Sequence, residues 1–502
     1  MTCGSQVIFL VLWLYTNFMK WYYLRRSVHA SWHICLAGAG VFGGVVLAPV
    51  VPWWFTSVSW LLTGVMLGLV AIYKQQVFML PVAIVGGLLV GLWRGQIEQV
   101  SLHAYDGLYE KTIQLSATVS EDMDVDKQGN AVLRLRDIHF GDHLLPGTLW
   151  VTVSDEGEIW RSDRIVAEGK LQKGFGTFAG AMYRTDIQKV ERAEPGDVAL
   201  VVRNWFSDAV RRAIPEPEAS LGVGYLVGQR RNLPSDLDNA LQAAGLTHIV
   251  VASGYNLTIL VRLARRLFAR VSKYLAALMS GSLIAAFVAV TGLSPSMSRA
   301  GLVAGLGLLA WYYGRKFHPV ILLSIAVATT VLFNPSYAWG DVGWQLSFAA
   351  FGGVMLLAPL LQAYFFGPEK PGTVRQILGE TMAAWLCTLP ILIITFGYVS
   401  NVAIIANLLV LPLVPLAMLL TFIAGVGVIT IPAFAVIVGM PATLLLHYMT
   451  SVATYMADLP WAKTEISISG WQALLMYAGI LCLGMYMWWR TRLSLRDTNL
   501  VE

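Results

Sequence analysis

Gly245-Leu-Thr-His-Ile-Val-Val-Ala-Ser-Gly-Tyr-Asn-Leu-Thr-Ile-Leu260 is apolar enough to enter a membrane, yet it carries His248, Ser253, Gly254 and Asn256. At about 3.6 residues per turn, positions 248, 252 and 256 are expected to share one stripe of a single helix. Polar groups at membrane depth are costly, so they face a partner or water rather than lipid. Arg262, Arg265, Arg266, Arg270 and Lys273 follow at once, the ordinary mark of a cytoplasmic helix end. The stretch therefore reads as a membrane segment that runs inward and holds a polar face within the bilayer.

Composition extends that reading to the whole chain. Of 502 residues, 56% are hydrophobic and 13% charged, whereas soluble domains average about a quarter charged. The expected class is a polytopic α-helical membrane protein of about 12–13 segments, each near the length that spans a bilayer. Cys3, Cys35, Cys387 and Cys482 lie in or beside apolar runs without a CxxC pair, so neither a disulfide framework nor a zinc site is indicated. The net charge of +5 hides an asymmetry, because residues 96–203 hold eighteen Asp/Glu against twelve Lys/Arg. Basic segment flanks alone say nothing about nucleic acid.

Four apolar segments open the chain, at 5–19, 33–52, 57–73 and 77–93. The first lacks the basic start and small-residue cleavage site of a signal peptide. Lys20, Arg25, Arg26 and Lys74 mark inner junctions, so the N-terminal membrane region, 1–95, ends outside. In the fourth segment Gly87, Gly91 and Gly95 recur every four residues, the small-residue face on which helices pack closely in lipid.

The outer region, 96–205, changes period. Ile113–Val119, Ala131–Ile138, Thr148–Val153, Arg164–Leu171 and Ala181–Val190 alternate like strands, between turn signals such as Pro146-Gly147. Five short strands suit a small antiparallel barrel, an OB-like fold first among them. Trp150, Trp160, Phe175, Phe178 and Tyr183 could stack bases, though the negative charge equally suits a structural cap. The acidic run Glu121-Asp-Met-Asp-Val-Asp126 lacks the Gly and distal Glu of a calcium loop. Residues 206–245 read as amphipathic helices on or dipping into the outer face.

Nine further apolar segments, near 246–268, 274–291, 297–313, 318–334, 343–366, 380–398, 402–430, 432–458 and 471–489, make up a membrane domain over 246–490, before a tail at 491–502. Their inner junctions carry Arg315/Lys316, Lys370/Arg375 and Arg490/Arg492/Arg496 besides the first cluster. Arg299, Asp341, Gln345, Asn401, Asn407 and His447 interrupt the apolar pattern, and Pro412 and Pro415 argue for a broken helix. Irregular backbone at that depth persists only against protein or a wet cavity. One cavity lined by several segments would account for these residues together. Arg299 and Asp341 read equally well as an ion pair between helices, and His447 as an interhelical donor. A Ser253–His248–Asp341 hydrolase is disfavoured, since residues five apart point about 140° apart on a helix. A metal site from His248, His318 and His447 is equally weak.

These residues resemble the ComEC competence family, the inner-membrane DNA uptake channel of transformable bacteria. The family's Gly-Asp-Arg-like step is similar to Val227-Gly-Gln-Arg-Arg231, and its Gly-Leu-x-His…Ser-Gly-x-His pattern to Gly245–Asn256. Further likenesses are Thr291-Gly292 through Arg299-Ala300, Asp341-Val-Gly-Trp-Gln-Leu-Ser-Phe348, Asn407-Leu408 through Pro412, and Ser162–Leu171 in the outer region. The second family His is Asn256 here, and the His-x-His-x-Asp-His motif of a metallo-β-lactamase-like nuclease domain is absent.

The resemblance implies transport of single-stranded DNA across the cytoplasmic membrane, without cofactor or catalytic residues. His248, Ser253, Asn256, Arg299, Asp341, Gln345 and Asn407 would line or shape the channel, and Arg230 and Arg231 would meet phosphates at its entrance. No GxxxxGK[ST] loop occurs, so an outer DNA receptor, a cytoplasmic translocase ATPase and a separate nuclease are implied partners, with self-association open. Two rivals remain: a metal-dependent nuclease in the outer domain, and a transporter of another polar or lipid-linked solute.

Overall fold

The computed structural model describes residues 26–125, 130–153, 159–193, 196–229, 233–250, 253–292, 295–315, 318–367, 369 and 371–493. The expected segment at 5–19, Arg230 and Arg231, and most of the tail lie outside them. In chain order, α1 (Ala30–Leu47), α2 (Val58–Lys74) and α3 (Leu80–Leu102) come first. Seven strands follow: β1 (Thr112–Val119), β2 (Asp124–Val125), β3 (Ala131–Phe140), β4 (His143–Leu145), β5 (Leu149–Val153), β6 (Arg164–Lys173) and β7 (Gly180–Glu191). Next are α4 (Val198–Ala213), α5 (Glu218–Val227), α6 (Ser235–Ala243), α7 (Thr247–Val250), α8 (Gly254–Phe268), α9 (Lys273–Thr291), α10 (Pro295–Tyr312), α11 (Pro319–Phe333) and α12 (Ser336–Gly340). The chain continues through α13 (Val342–Gly352), α14 (Ala358–Phe366), α15 (Thr373–Phe396), β8 (Tyr398–Ser400), α16 (Ala403–Val410), α17 (Val414–Thr430), α18 (Ala435–Ala457), β9 (Lys463–Glu465) and α19 (Gly470–Thr491). Among the described residues, eight helical segments are long and apolar enough to cross a membrane, and two shorter apolar helices accompany them. The protein is a multi-pass membrane protein.

Two compact units divide the chain, Met1–His103 with Val320–Gly340, and Ala104–Pro319 with Asp341–Glu502. In the first, α1 and α3 touch backbone to backbone. A Cβ at Gly87 would stand 1.9 Å from Ala37 O, at Gly91 2.1 Å from Val41 O, and at Gly44 2.2 Å from Leu88 O. Close approach of this kind is how helices gain van der Waals contact where lipid offers no hydrophobic drive. Helix α3 runs to Leu102, beyond the boundary expected at 95, because its polar side chains find partners. Arg94 donates to Leu332 O at 2.8 Å and Phe333 O at 3.0 Å and pairs with Glu98 at 2.9 Å. Buried Gln96 donates to Pro52 O at 2.8 Å and accepts from Phe55 N at 2.9 Å.

In the second unit each alternating run became a strand. Five strands close a ring in the order β1–β6–β7–β5–β3, with β3 returning to β1; β5–β7 is parallel and the other ring pairings are antiparallel. Leu115, Leu133, Leu149, Ile165 and Met182 fill this small β-barrel-like region. Arginines fasten it to helices: Arg203 of α4 pairs with Asp122, and buried Arg161 pairs with Asp197 at 2.7 Å and donates to Ala289 O of α9 at 3.3 Å. Asp197 also caps α4 by accepting from Leu200 N at 3.0 Å.

All ten residues of helix α5 are buried. Its Gly, Ala and Ser residues let neighbours close in: a Cβ at Gly222 would stand 2.9 Å from the Thr421 side chain, and at Gly224 2.7 Å from Val250 O.

Gly91→Ala is expected to force α1 and α3 apart and destabilise the protein by about 1–3 kcal/mol. Gly43→Ala, with nothing within 4 Å of the new Cβ, serves as the neutral control in thermal unfolding of detergent-solubilised protein. A second expectation concerns acid. Burial opposes ionisation of Asp197, but the Leu200 N–H and Arg161 outweigh it and hold its carboxyl below the usual range. A lowered folded-state value gives stabilisation that is complete above the unfolded value, about 3.9, and lost as pH falls through the folded one. Acidification across that window is expected to lower the unfolding temperature of wild type more than that of Asp197→Asn.

Candidate functional site

The polar residues of the membrane domain gather around the ends of short helices. Helix α5 stops at Gly228, whose φ of 73° ends it, leaving C-terminal carbonyls without intrahelical donors. Asn256 supplies one: its Nδ2 donates to Tyr225 O at 3.1 Å, and the side chain is wholly buried. Because that nitrogen is committed, the orphan atom is Asn256 Oδ1, which has no hydrogen-bond partner among the described residues.

The stripe expected on one continuous helix over 246–268 is not formed. Ser253 is extended, with φ −114° and ψ 162°, and its Oγ accepts from Asn256 N at 3.4 Å to start α8 afresh. Ser is a good N-cap and the following Gly a poor helix interior. His248 therefore sits exposed in the separate four-residue α7, while Asn256 is buried in α8.

Arg299 is 3% exposed on α10 and donates to Gly343 O at 3.0 Å, with Asp341 Oδ2 3.9 Å from its Nη1. Asp341 caps α13 through Trp344 N at 2.8 Å, and partly buried Gln345 follows one turn on. A Cβ at Gly254 would stand 3.3 Å from Ala300 Cβ, so the start of α8 adjoins the turn that carries Arg299. Asn407 is buried on α16, its Oδ1 without a hydrogen-bond partner among the described residues. The helix breaks soon after it, at Leu411–Leu413, where Pro412 was expected to interrupt it. Gly245 lies against Ala403, and Ser400 Oγ donates to Ala243 O at 2.6 Å, which seats α16 beside the chain leading into α7. Arg230 and Arg231 are outside the described residues.

Sequence reasoning passed over two ionisable groups, Glu218 and Glu380, and read Arg262 only as part of a helix-end cluster. Buried Glu218, at the start of α5, accepts from His447 Nδ1 at 2.8 Å; the partner lies 229 positions away. On α15, Glu380 accepts from Gln376 at 2.8 Å and stands within electrostatic reach of Tyr255 and Arg262 of α8. An Arg two turns inside an apolar helix was the available signal for Arg262.

On the barrel, Glu121 and Asp124 both pair with Arg134, as Asp122 does with Arg203. No group of three His, Cys, Asp or Glu stands ready for a metal among the described residues. Rings of Trp150, Phe175 and Phe178 meet at 5.3–5.5 Å, with Arg134 5.9 Å over Trp150.

A family model described as "Competence protein" matches residues 225–491. ComE operon protein 3 of Bacillus subtilis (strain 168) is 24% identical over 263 residues, 52% of this chain and 33% of that protein. An uncharacterized protein of Aquifex aeolicus (strain VF5) is 22% identical over 215 residues, 42% of this chain and 49% of that one. The matched regions thus span a third and about half of these relatives' lengths. No solved structure matches the chain.

Asn256→Leu, which strips the buried Tyr225 carbonyl of its donor, is expected to destabilise by about 1–3 kcal/mol. Asn256→His keeps an N–H and is expected to lose less, as read by thermal unfolding in detergent.

Proposed function

The chain belongs to the Competence protein family, whose model covers just over half of it, and from that premise we propose that it passes single-stranded DNA across the cytoplasmic membrane during natural transformation. One observation carries the reading: buried Asn256 and Arg299 sit at interrupted helix ends that adjoin through Gly254 and Ala300. Amide oxygens without partners and a cation held near a carboxylate are groups that a phosphodiester and its bases can engage. Discontinuous helices within a membrane domain commonly place such groups at a binding site.

His248, Ser253, Gln345 and Asn407 complete the proposed lining, Asp341 orients Arg299, and Arg230 with Arg231 receive phosphates at the entrance. The ring of five strands with a single parallel pair supports an OB-type outer domain, of the class whose sheet binds oligonucleotides. Force would come from a separate cytoplasmic ATPase, with an outer DNA receptor and a nuclease acting alongside, and copies of the chain could associate.

Uptake of labelled DNA is expected to be lost in a deletion strain and restored by the wild-type chain. Arg299→Gln is expected to insert normally yet restore uptake only weakly. Unimpaired uptake in the deletion strain would end the functional reading; full rescue by Arg299→Gln would end the role given to that residue.

A further inference from the structure

Between Asp238 and Asp341 the sequence has no carboxylate at all, while it holds eight Lys and Arg. Five of these, Arg262, Arg265, Arg266, Arg270 and Lys273, belong to α8, the turn after it and the first residue of α9. Basic residues past a helix end are ordinary topogenic flanks, but Arg262 lies six residues before the end of α8, about 9 Å inside it. On that helix Tyr255, Thr258, Arg262 and Arg266 fall on one face, and Leu257, Leu260, Val261 and Ala264 on the opposite one. Leu257 packs there with Ile284, Phe287 and Met297 of α9 and α10.

The polar face starts beside Ser253 and Asn256, where Tyr255 is 43% exposed, and ends at exposed Arg266 and Arg270. At that lower end cations and rings interleave. Arg265 lies 5.3 Å over Trp311, and Lys273 lies 5.9 Å from Trp311 and 5.7 Å from Tyr312, which meets exposed Tyr313 edge to face. A row of guanidiniums about 6 Å apart, one helical turn each, with aromatic faces beside it, is the pattern that follows a single strand without reading its sequence. An anionic lipid headgroup layer would need the flank alone, not a cation placed about 9 Å back along the helix.

We propose that the Tyr255–Thr258–Arg262–Arg266 face of α8 is a track for the phosphate backbone of a single nucleic-acid strand, running from the Asn256–Arg299 site to the basic, aromatic end at Trp311 and Tyr312. The inference rests on the DNA-transport reading and adds the path. Glu380, within electrostatic reach of Arg262, opposes a phosphate on that part of the track.

The test uses the full chain in nanodiscs of zwitterionic lipid, with a thymidine oligonucleotide carrying 4-thiothymidine as photoprobe. Crosslinks are expected on residues 255–273 and 311–313. In Arg262→Gln/Arg266→Gln these crosslinks should vanish, and the salt dependence of binding should lose about 1.4 in log–log slope, two phosphates' worth. Arg262→Lys/Arg266→Lys should keep most of the slope, Arg490→Gln all of it, and Glu380→Gln should tighten binding several-fold. An unchanged slope in the double Gln variant would overturn the track. So would crosslinks confined to Asn256 and Arg299, which leave the transport reading standing. Failure of wild type to bind the oligonucleotide anywhere would sink both. An effect of the double variant seen only when anionic lipid is added would assign the cations to headgroups and reject the track.

Discussion

Within a bilayer, water is not at hand for the polar backbone atoms that a helix end exposes, so every interruption needs a partner from elsewhere in the chain. The membrane domain interrupts its helices repeatedly, and its notable side chains are first of all the answers to that constraint. Asn256 serves Tyr225 O at the end of α5, Arg299 serves Gly343 O, Asp341 serves Trp344 N, and Arg161 serves Ala289 O. Asn256 and Asp341, which look like members of a ligand set when read along the sequence, are thus first of all caps of helix ends.

That division explains why shape and chemistry are inseparable here. Helix α5 is short because Gly228 ends it, and it can be buried because Gly222 and Gly224 let Thr421 and Val250 approach. Burial in turn forces Glu218 to take His447 and Tyr225 O to take Asn256. The first unit solves the same problem with opposite means. Its α1 and α3 are continuous, satisfy their own backbones, and spend their glycines on close contact alone.

Much of this was legible where a local rule applies. Period-two alternation bounded by Gly, Pro and Asn marked the five ring strands, the fourfold spacing of Gly87, Gly91 and Gly95 marked a packing face, and Pro412 marked a break. The break at Ser253 was hidden, because the hydrophobic run on both sides is continuous and Ser-Gly carries no charge or proline. The full burial of α5 depends on tertiary packing, which no local pattern announces. A pairing such as Glu218 with His447 joins residues 229 positions apart; no periodicity encodes it.

The charge pattern supplies the last step. A region with eight cations and no carboxylate would repel itself at low dielectric, and the carboxylates that act on two of its members come from outside it: Asp341 Oδ2 stands 3.9 Å from buried Arg299, and Glu380 is within electrostatic reach of half-buried Arg262. Each borrowed carboxylate sits on a different helix from the cation it balances. Such a pair holds two helices together while it lasts, yet its Asp or Glu can be replaced by any other anion of suitable shape without leaving a buried charge bare. A dry apolar lining could not make that exchange.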